Sequence, residues 1–513
     1  MLKRIVQDFR QETSPPVFLG AAGVIIAFVI YGAGFSGHAS VVFENLQQFI
    51  TDKFGWFYIL TASIFLIFVI FLAFSKYGNI RLGGEQTNPE FGSITWFTML
   101  MAAGVGIGLV FFGVAEPIGH FVSPPEAGAQ TSQAIREAML YSFFHWGLHP
   151  WAIYLAIALP LAYFHFRHRL PMAPRSLLYP LIGDRIYGWI GHLVDILATV
   201  GTLFGVGTSL GLGAMQINAG LGAIFGVSLN LTIQLIIIAI ITTIATISVV
   251  TGLHMGIKRL SQFNMGLAGI LLLFVIITGP TIYIFETFIT SVGYYIQNLA
   301  YTSFRIDQAH LGDWQANWTI FYWSWWIAWS PFVGVFAARI SRGRTIRELI
   351  LAMLLVPSIV GFFWFSAMGG ASFFIELFGE GGIIEPTLKD EVLSFYALLD
   401  KLPVSFITSI LGTLLIVVFF ITSSDSGSLV DVMVTSGGNP NPPFPYRIFW
   451  CVTEGLVAAT LLITGGLTAL RVASLIPALP FALFLLVACY GLLKALKVDI
   501  KIDGLPEREE LKK

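Results

Sequence analysis

Runs of roughly twenty apolar residues recur along the whole chain, and a helix of that length crosses a bilayer core of about 30 Å. They fall at 16–35, 56–75, 94–116, 138–164, 188–222, 230–252, 262–285, 318–338, 346–372, 404–424, 446–467 and 470–493. In hydrocarbon every backbone polar group must be bonded internally, so only helices and closed barrels span it. Barrel strands alternate apolar and polar residues in segments of about ten, and no such pattern occurs here. The chain therefore reads as an all-α integral membrane protein with twelve transmembrane helices. Only 11% of its 513 residues are charged and 56% are hydrophobic, whereas a soluble domain carries roughly 25% charged residues. A cytosolic enzyme, a disordered chain and a secreted disulfide scaffold are all excluded. The net charge of −1 offers no basic face to a nucleic acid. Cys451 and Cys489 lie inside apolar runs and read as small hydrophobes. The first run lacks a small-residue cleavage site, which makes it a retained helix and not a secretory signal.

Cationic residues orient such a bundle, because cytoplasmic loops are enriched in Lys and Arg. With the N-terminus inside, 22 of the 28 Lys and Arg residues fall on the inner side, including Arg339, Arg342, Arg344 and Arg347. An even number of spans returns the C-terminus to the cytoplasm, so both termini are expected inside. The Arg339–Arg347 run reads as an anchor or as part of a cytoplasmic gate. Phe288, Val292, Tyr295 and Leu299 have helical spacing and predict an amphipathic helix at the outer surface.

Three spans are irregular. Gly104, Gly106 and Gly108 alternate in the third, and each costs a helix about 1 kcal/mol against Ala. They predict either an unwound segment lining a cavity or close helix packing on small residues. The eighth holds Trp318, Trp323, Trp325, Trp326 and Trp329 and then Ser330-Pro331. Its proline predicts a second broken helix. Its inward rings suit a quaternary ammonium group, which an aromatic quadrupole attracts; a packed core or an interfacial belt is the plainer alternative. The tenth ends Thr422-Ser-Ser-Asp-Ser-Gly-Ser428. Those oxygens suit a hard cation, or mark a helix end entering a loop. Interrupted helices at matching positions point to inverted repeats. Spans 3–7 and 8–12 then form two inverted repeats of five helices, and spans 1 and 2 are accessory.

These residues resemble the betaine/choline/carnitine transporters over nearly the whole chain. The resemblance rests on Gly104 to Gly108, on Phe144-His-Trp-Gly-Leu-His-Pro-Trp-Ala-Ile-Tyr154, on the tryptophan run and on Ala338-Arg-Ile-Ser-Arg-Gly-Arg-Thr-Ile-Arg347. It implies a secondary transporter of trimethylammonium osmolytes, assembled as a homotrimer in the membrane lipid through the surface helix. It also implies an aromatic box of Trp146, Tyr154 and Trp326 flanked by Trp325 and Trp329. A co-transported sodium ion would be held by carbonyls of Ala102, Val105 and Phe419 with the hydroxyls of Thr422 and Ser423. A second sodium would involve Thr202 and Phe332, although Val206 stands where another hydroxyl is expected. Choline carriers of the family place Asp where this chain has Gly108. Its sodium-independent exchangers place Arg where Asn264 aligns.

The expectation is thus a sodium symporter importing glycine betaine by alternating access. A sodium-independent exchanger, or an importer of choline, carnitine, ectoine or dimethylsulfoniopropionate, is the alternative. A membrane-embedded enzyme using His145 or His149 as base lacks an oriented nucleophile in sequence reach. His145, His149, Asp195 and Glu454 could otherwise form a metal pair or a proton relay. Glu116, before Pro117, is expected to close the broken helix or to face an outer vestibule. The expected organisation is a cytoplasmic N-terminus (1–15), two accessory helices (16–93), a first repeat (94–285), an outer amphipathic helix and loop (286–316), a second repeat (317–496) and a short cytoplasmic tail (497–513).

Overall fold

The computed structural model describes residue 7 and residues 9–104, 106–250, 254–307 and 312–503. Val105, most of the first eight residues and the tail beyond residue 503 lie outside the described residues. The regular structure among the described residues is helical, apart from one isolated bridge between Arg81 and Thr345. Nine of its helices are long and apolar enough to cross a membrane.

The accessory helices are α1 (Pro15–Gly34) and α2 (Ser36–Phe74). The third span is interrupted as the glycines predict: α3 (Ser93–Gly104) stops and α4 (Ile107–Val122) begins after an extended Gly106. The fourth span is also two helices, α5 (Ser132–Trp146) and α6 (Leu148–His168), separated by Gly147. Pro150 lacks the N–H that would bond the Trp146 carbonyl four residues back. A Cβ on Gly147 would sit 2.5 Å from the Phe143 carbonyl oxygen and 2.7 Å from the Phe362 ring. Then follow α7 (Trp189–Phe225), α8 (Leu231–Val250), α9 (His254–Thr278) and the amphipathic α10 (Thr281–Phe304). This last helix starts five residues earlier than its periodicity suggested. It buries Tyr295 and leaves Ile282, Ile289 and Ile296 exposed.

The eighth span corrects the expectation of a second break. Helix α11 (Phe321–Ile340), preceded by a π turn over Ala316–Ile320, runs through Pro331 without interruption. The carbonyl that Pro331 leaves unbonded belongs to Ile327, and the Ser330 hydroxyl donates to it at 2.8 Å. A serine beside the proline thus repairs the helix it would break. Helix α12 (Ile346–Phe378) opens with a reciprocal cap: Glu348 N donates to Thr345 Oγ1 at 3.1 Å and Thr345 N to Glu348 Oε2 at 2.7 Å.

Helix α13 (Ser405–Thr435) continues eleven residues past the expected end of span 10. The hydroxyl-rich stretch is therefore mid-helix and not a terminus. Its polar groups find partners there: Thr422 donates to the Val418 carbonyl (3.0 Å), Ser424 to Glu454 Oε2 (2.7 Å), and Asp425 accepts from Arg447 Nη2 (2.7 Å). The last two runs lie in α14 (Phe444–Asp503), which is kinked where Gly466 takes φ +56°. Val457 packs against Gly207, and Leu470 against Gly211 one turn further along α7. A straight helix would hold residues 457 and 470 about 20 Å apart, so α14 folds back on itself as a hairpin.

Candidate binding site between the broken helices

The three breaks and repairs converge on one place. Trp146 ends α5, Tyr154 lies two turns into α6, and Trp325, Trp326 and Trp329 project from α11. All five side chains are buried. The Trp146 ring meets Trp326 edge-on at 5.0 Å between centroids, and Tyr154 meets Trp326 likewise at 6.2 Å. Trp325 and Trp326 stack at 4.8 Å, and Trp329 lies 6.4 Å from Trp325. The rings predicted to form a cage are thus neighbours, contributed by three helices.

The glycines are what admit them. A Cβ on Gly104 would lie 2.2 Å from Cη2 of Trp151, and one on Gly108 would lie 2.6 Å from Cη2 of Trp325 and 2.9 Å from that of Trp146. Gly106 is roomier: its Cβ would meet Trp329 at 3.5 Å and Ser423 Oγ at 3.8 Å. The unwound segment and close packing on small residues are therefore one feature. Trp151, which the sequence reading passed over, lines the same small cavity as Trp146, Tyr154 and Trp326. That cavity encloses about 10 Å³, at the threshold for a single water molecule, so the rings here are closed on one another.

The expected sodium ligands are only partly placed. Phe419, Thr422 and Ser423 sit on α13, and the Ser423 hydroxyl faces Gly106 across the break. Ala102 lies in α3, and Val105 is outside the described residues. Thr202 and Phe332 are buried on α7 and α11, which cross where a Cβ on Gly205 would lie 2.6 Å from the Trp329 ring. Thr208, two residues beyond Val206 on α7, donates to the Leu470 carbonyl at 2.9 Å. Asn264 is buried; with its amide nitrogen toward Leu415 it donates to that carbonyl (3.2 Å) and accepts from Phe419 N (3.3 Å).

Glu116 neither caps a broken helix nor faces a vestibule. It is fully buried. Its Oε1 accepts from His145 Nδ1 (2.6 Å) and His120 Nε2 (3.2 Å), and its Oε2 accepts from Trp146 Nε1 (2.8 Å) and the Tyr322 hydroxyl (2.5 Å). Ligand atoms of Glu116, His120 and His145 approach within 4.8 Å. With the carboxylate ionised, each histidine turns an N–H to it, and His120 Nδ1 is buried with no partner among the described residues. The expected pairing of His145 with His149 does not form, because His149 turns to the Ser303 hydroxyl (3.1 Å) and stacks on Trp323. Asp195 pairs with Arg175 (2.6 Å) and Glu454 with Ser424, each away from the histidines.

Residues 16–501 match the family model described as BCCT, betaine/carnitine/choline family transporter. The chain belongs to this family. Among curated betaine/carnitine/choline transporters it is 45% identical over 500 residues to the glycine betaine transporter OpuD of Bacillus subtilis, covering 97% of this chain and 96% of that protein. It is 43% identical over 496 residues to a glycine betaine transporter of Acinetobacter baylyi, covering 96% of this chain and 75% of that one. A glycine betaine/proline/choline transporter of Vibrio parahaemolyticus is also 43% identical, over 97% of this chain and 93% of its own. The family consists of membrane transporters and not of enzymes, and transport of a small osmolyte is the activity these relatives share in name.

Proposed function

We propose that this protein imports glycine betaine by sodium symport, with the aromatic cage of Trp146, Tyr154, Trp325, Trp326 and Trp329 holding the trimethylammonium group. The observation that carries this reading is the meeting of those five rings beside a helix break. A desolvated cation gains up to about 2 kcal/mol from an aromatic face. The first turn of α4 offers its free N–H groups to a carboxylate, as helix N-termini do. Sodium sits between the break and α13, held by Thr422, Ser423 and the carbonyls of Ala102, Val105 and Phe419; Ser423 facing Gly106 supports this. Alternating access follows from the closed cage, since a ligand larger than water enters only when the rings part.

Twelve crossings result if the α3–α4 pair and α11 each span once and α14 spans twice. The two five-helix units then run from α3 to α9 and from α11 to the end of α14, and copies of the chain meet through the exposed stripe of α10 to form a homotrimer. Both termini face the cytoplasm of a bacterial inner membrane. Buried Asn264, absorbed in the α9–α13 contact, favours sodium coupling over exchange. The test is uptake by proteoliposomes with and without an inward sodium gradient, with choline, carnitine, ectoine and dimethylsulfoniopropionate as competitors. Gradient-driven betaine uptake is the expected result; betaine exchange indifferent to sodium would refute symport.

A further inference from the structure

The indoles of the cage differ in what their N–H groups bind. Trp326 donates to the His145 carbonyl (3.0 Å) and Trp325 to the Gly205 carbonyl (3.3 Å), both neutral, and Trp329 Nε1 is buried with no partner among the described residues. Trp146 alone of these four donates to a carboxylate, Oε2 of Glu116. Four donors converge on the two Glu116 oxygens, which is the complement of an ionised, acceptor-only carboxylate. His145 directs Nδ1 to Glu116 and Nε2 to the Thr319 hydroxyl at 2.9 Å, so a neutral imidazole satisfies both contacts.

We propose that Glu116 sets the cation preference of the cage by acting through Trp146. The inference rests on the reading that the cage holds a quaternary ammonium group. Hydrogen bonds to a charged acceptor are roughly twice as strong as neutral ones, and this one draws the indole proton toward the anion. Electron density then shifts onto the ring, and the negative face that attracts a cation is strengthened, because that attraction is electrostatic in origin. Glu116 is a positioning residue: it acts on the substrate through the ring it polarises.

A purely structural role predicts something different. Glu116 ties α4 to α5 and α11, so loss of packing would weaken every ligand alike. An electrostatic role separates betaine from its carbon isostere 3,3-dimethylbutanoate, which has the same shape and carboxylate but no cation. The test is equilibrium binding of both compounds to the purified full-length protein in sodium. Glu116→Gln is expected to lower the betaine-to-isostere affinity ratio by roughly tenfold, on the order of one ring's cation contribution. In a Trp146→Phe background, adding Glu116→Gln is expected to leave the ratio unchanged. Equal losses for both ligands overturn the proposal, as does a full Glu116→Gln effect persisting without Trp146. If Glu116→Gln does not fold, Trp146→Phe alone must lower the ratio, and an unchanged ratio overturns the proposal. Wild-type protein that does not prefer betaine to the isostere removes the cage reading itself, and this inference with it.

Discussion

Replacing Gly108 with alanine adds one methyl group between two indole rings. Its Cβ would lie 2.6 Å from Trp325 and 2.9 Å from Trp146, whereas carbon atoms rest roughly 3.5–4.0 Å apart. Each ring must retreat by about 1 Å, or the α4 backbone must shift by as much. Overpacking of this kind costs typically 1–3 kcal/mol. Alanine recovers about 1 kcal/mol of helix propensity in α4, so the net cost to stability is about 0–2 kcal/mol. The recovery does nothing for the spacing of the cage, so the loss appears in binding. At about 1.4 kcal/mol per tenfold, betaine affinity is expected to fall roughly 5- to 150-fold. Gly106→Ala is the control: Gly106 is extended with φ −141°, and its Cβ would meet nothing closer than 3.5 Å. Betaine binding measured by tryptophan fluorescence, with thermal unfolding in parallel, checks both variants. Equal affinity losses in the two, or an unchanged Gly108→Ala, would refute the spacing argument.

Trp326→Leu keeps apolar bulk but removes the quadrupole, so betaine affinity should drop by roughly 0.5–2 kcal/mol more than for Trp326→Phe; uptake KM values that are the same for both would mean the ring only packs. Replacing Thr422 and Ser423 together by Ala removes two oxygens, so apparent sodium affinity should weaken at least tenfold and betaine affinity should fall by linkage; unchanged sodium dependence of uptake would place the ion elsewhere. Gly108→Asp adds the same steric load as Gly108→Asn plus a charge, so only Asp should shift competition from betaine toward choline; a shift in both would assign it to shape. Arg447→Met removes the guanidinium bonded to buried Asp425 and should lower the Tm, while adding Asp425→Leu should restore most of it; a double variant with a Tm as low as the single's would contradict this.

Hydropathy alone located the nine helices among the described residues that are long and apolar enough to cross a membrane, because lipid imposes one rule on all of them. It could not locate the ends of α13, where Ser424 and Asp425 read as a terminus until Glu454 and Arg447 supplied their partners from a distant segment. Pro331 was legible as a helix breaker, but the hydroxyl that repairs it sat one residue away, in Ser330. The break at Gly147 had a signal in Gly147 and Pro150, but membrane helices tolerate single glycines and prolines without breaking. Trp325 and Trp326 were legible in the tryptophan run itself, and Trp146 only through the family resemblance. Glu116 was not, because what matters about it is the four donors brought from α4, α5 and α11. No periodicity within one helix encodes such a meeting.

Gly147 has a mechanical consequence. The cage rings Trp146 and Tyr154 belong to two stiff levers that meet at a single residue with φ −94° and ψ −129°. Turning one lever against the other changes the gap between those rings while every hydrogen bond inside each helix stays intact. Such a turn would change two torsion angles, break the stacking of Phe143 on Phe362, whose rings lie 4.1 Å apart beside the pivot, and strain the bonds that tie α5 to Glu116 and Trp326. Loss of that stacked pair would add the energy of one aromatic contact, on the order of 1 kcal/mol, to any such turn.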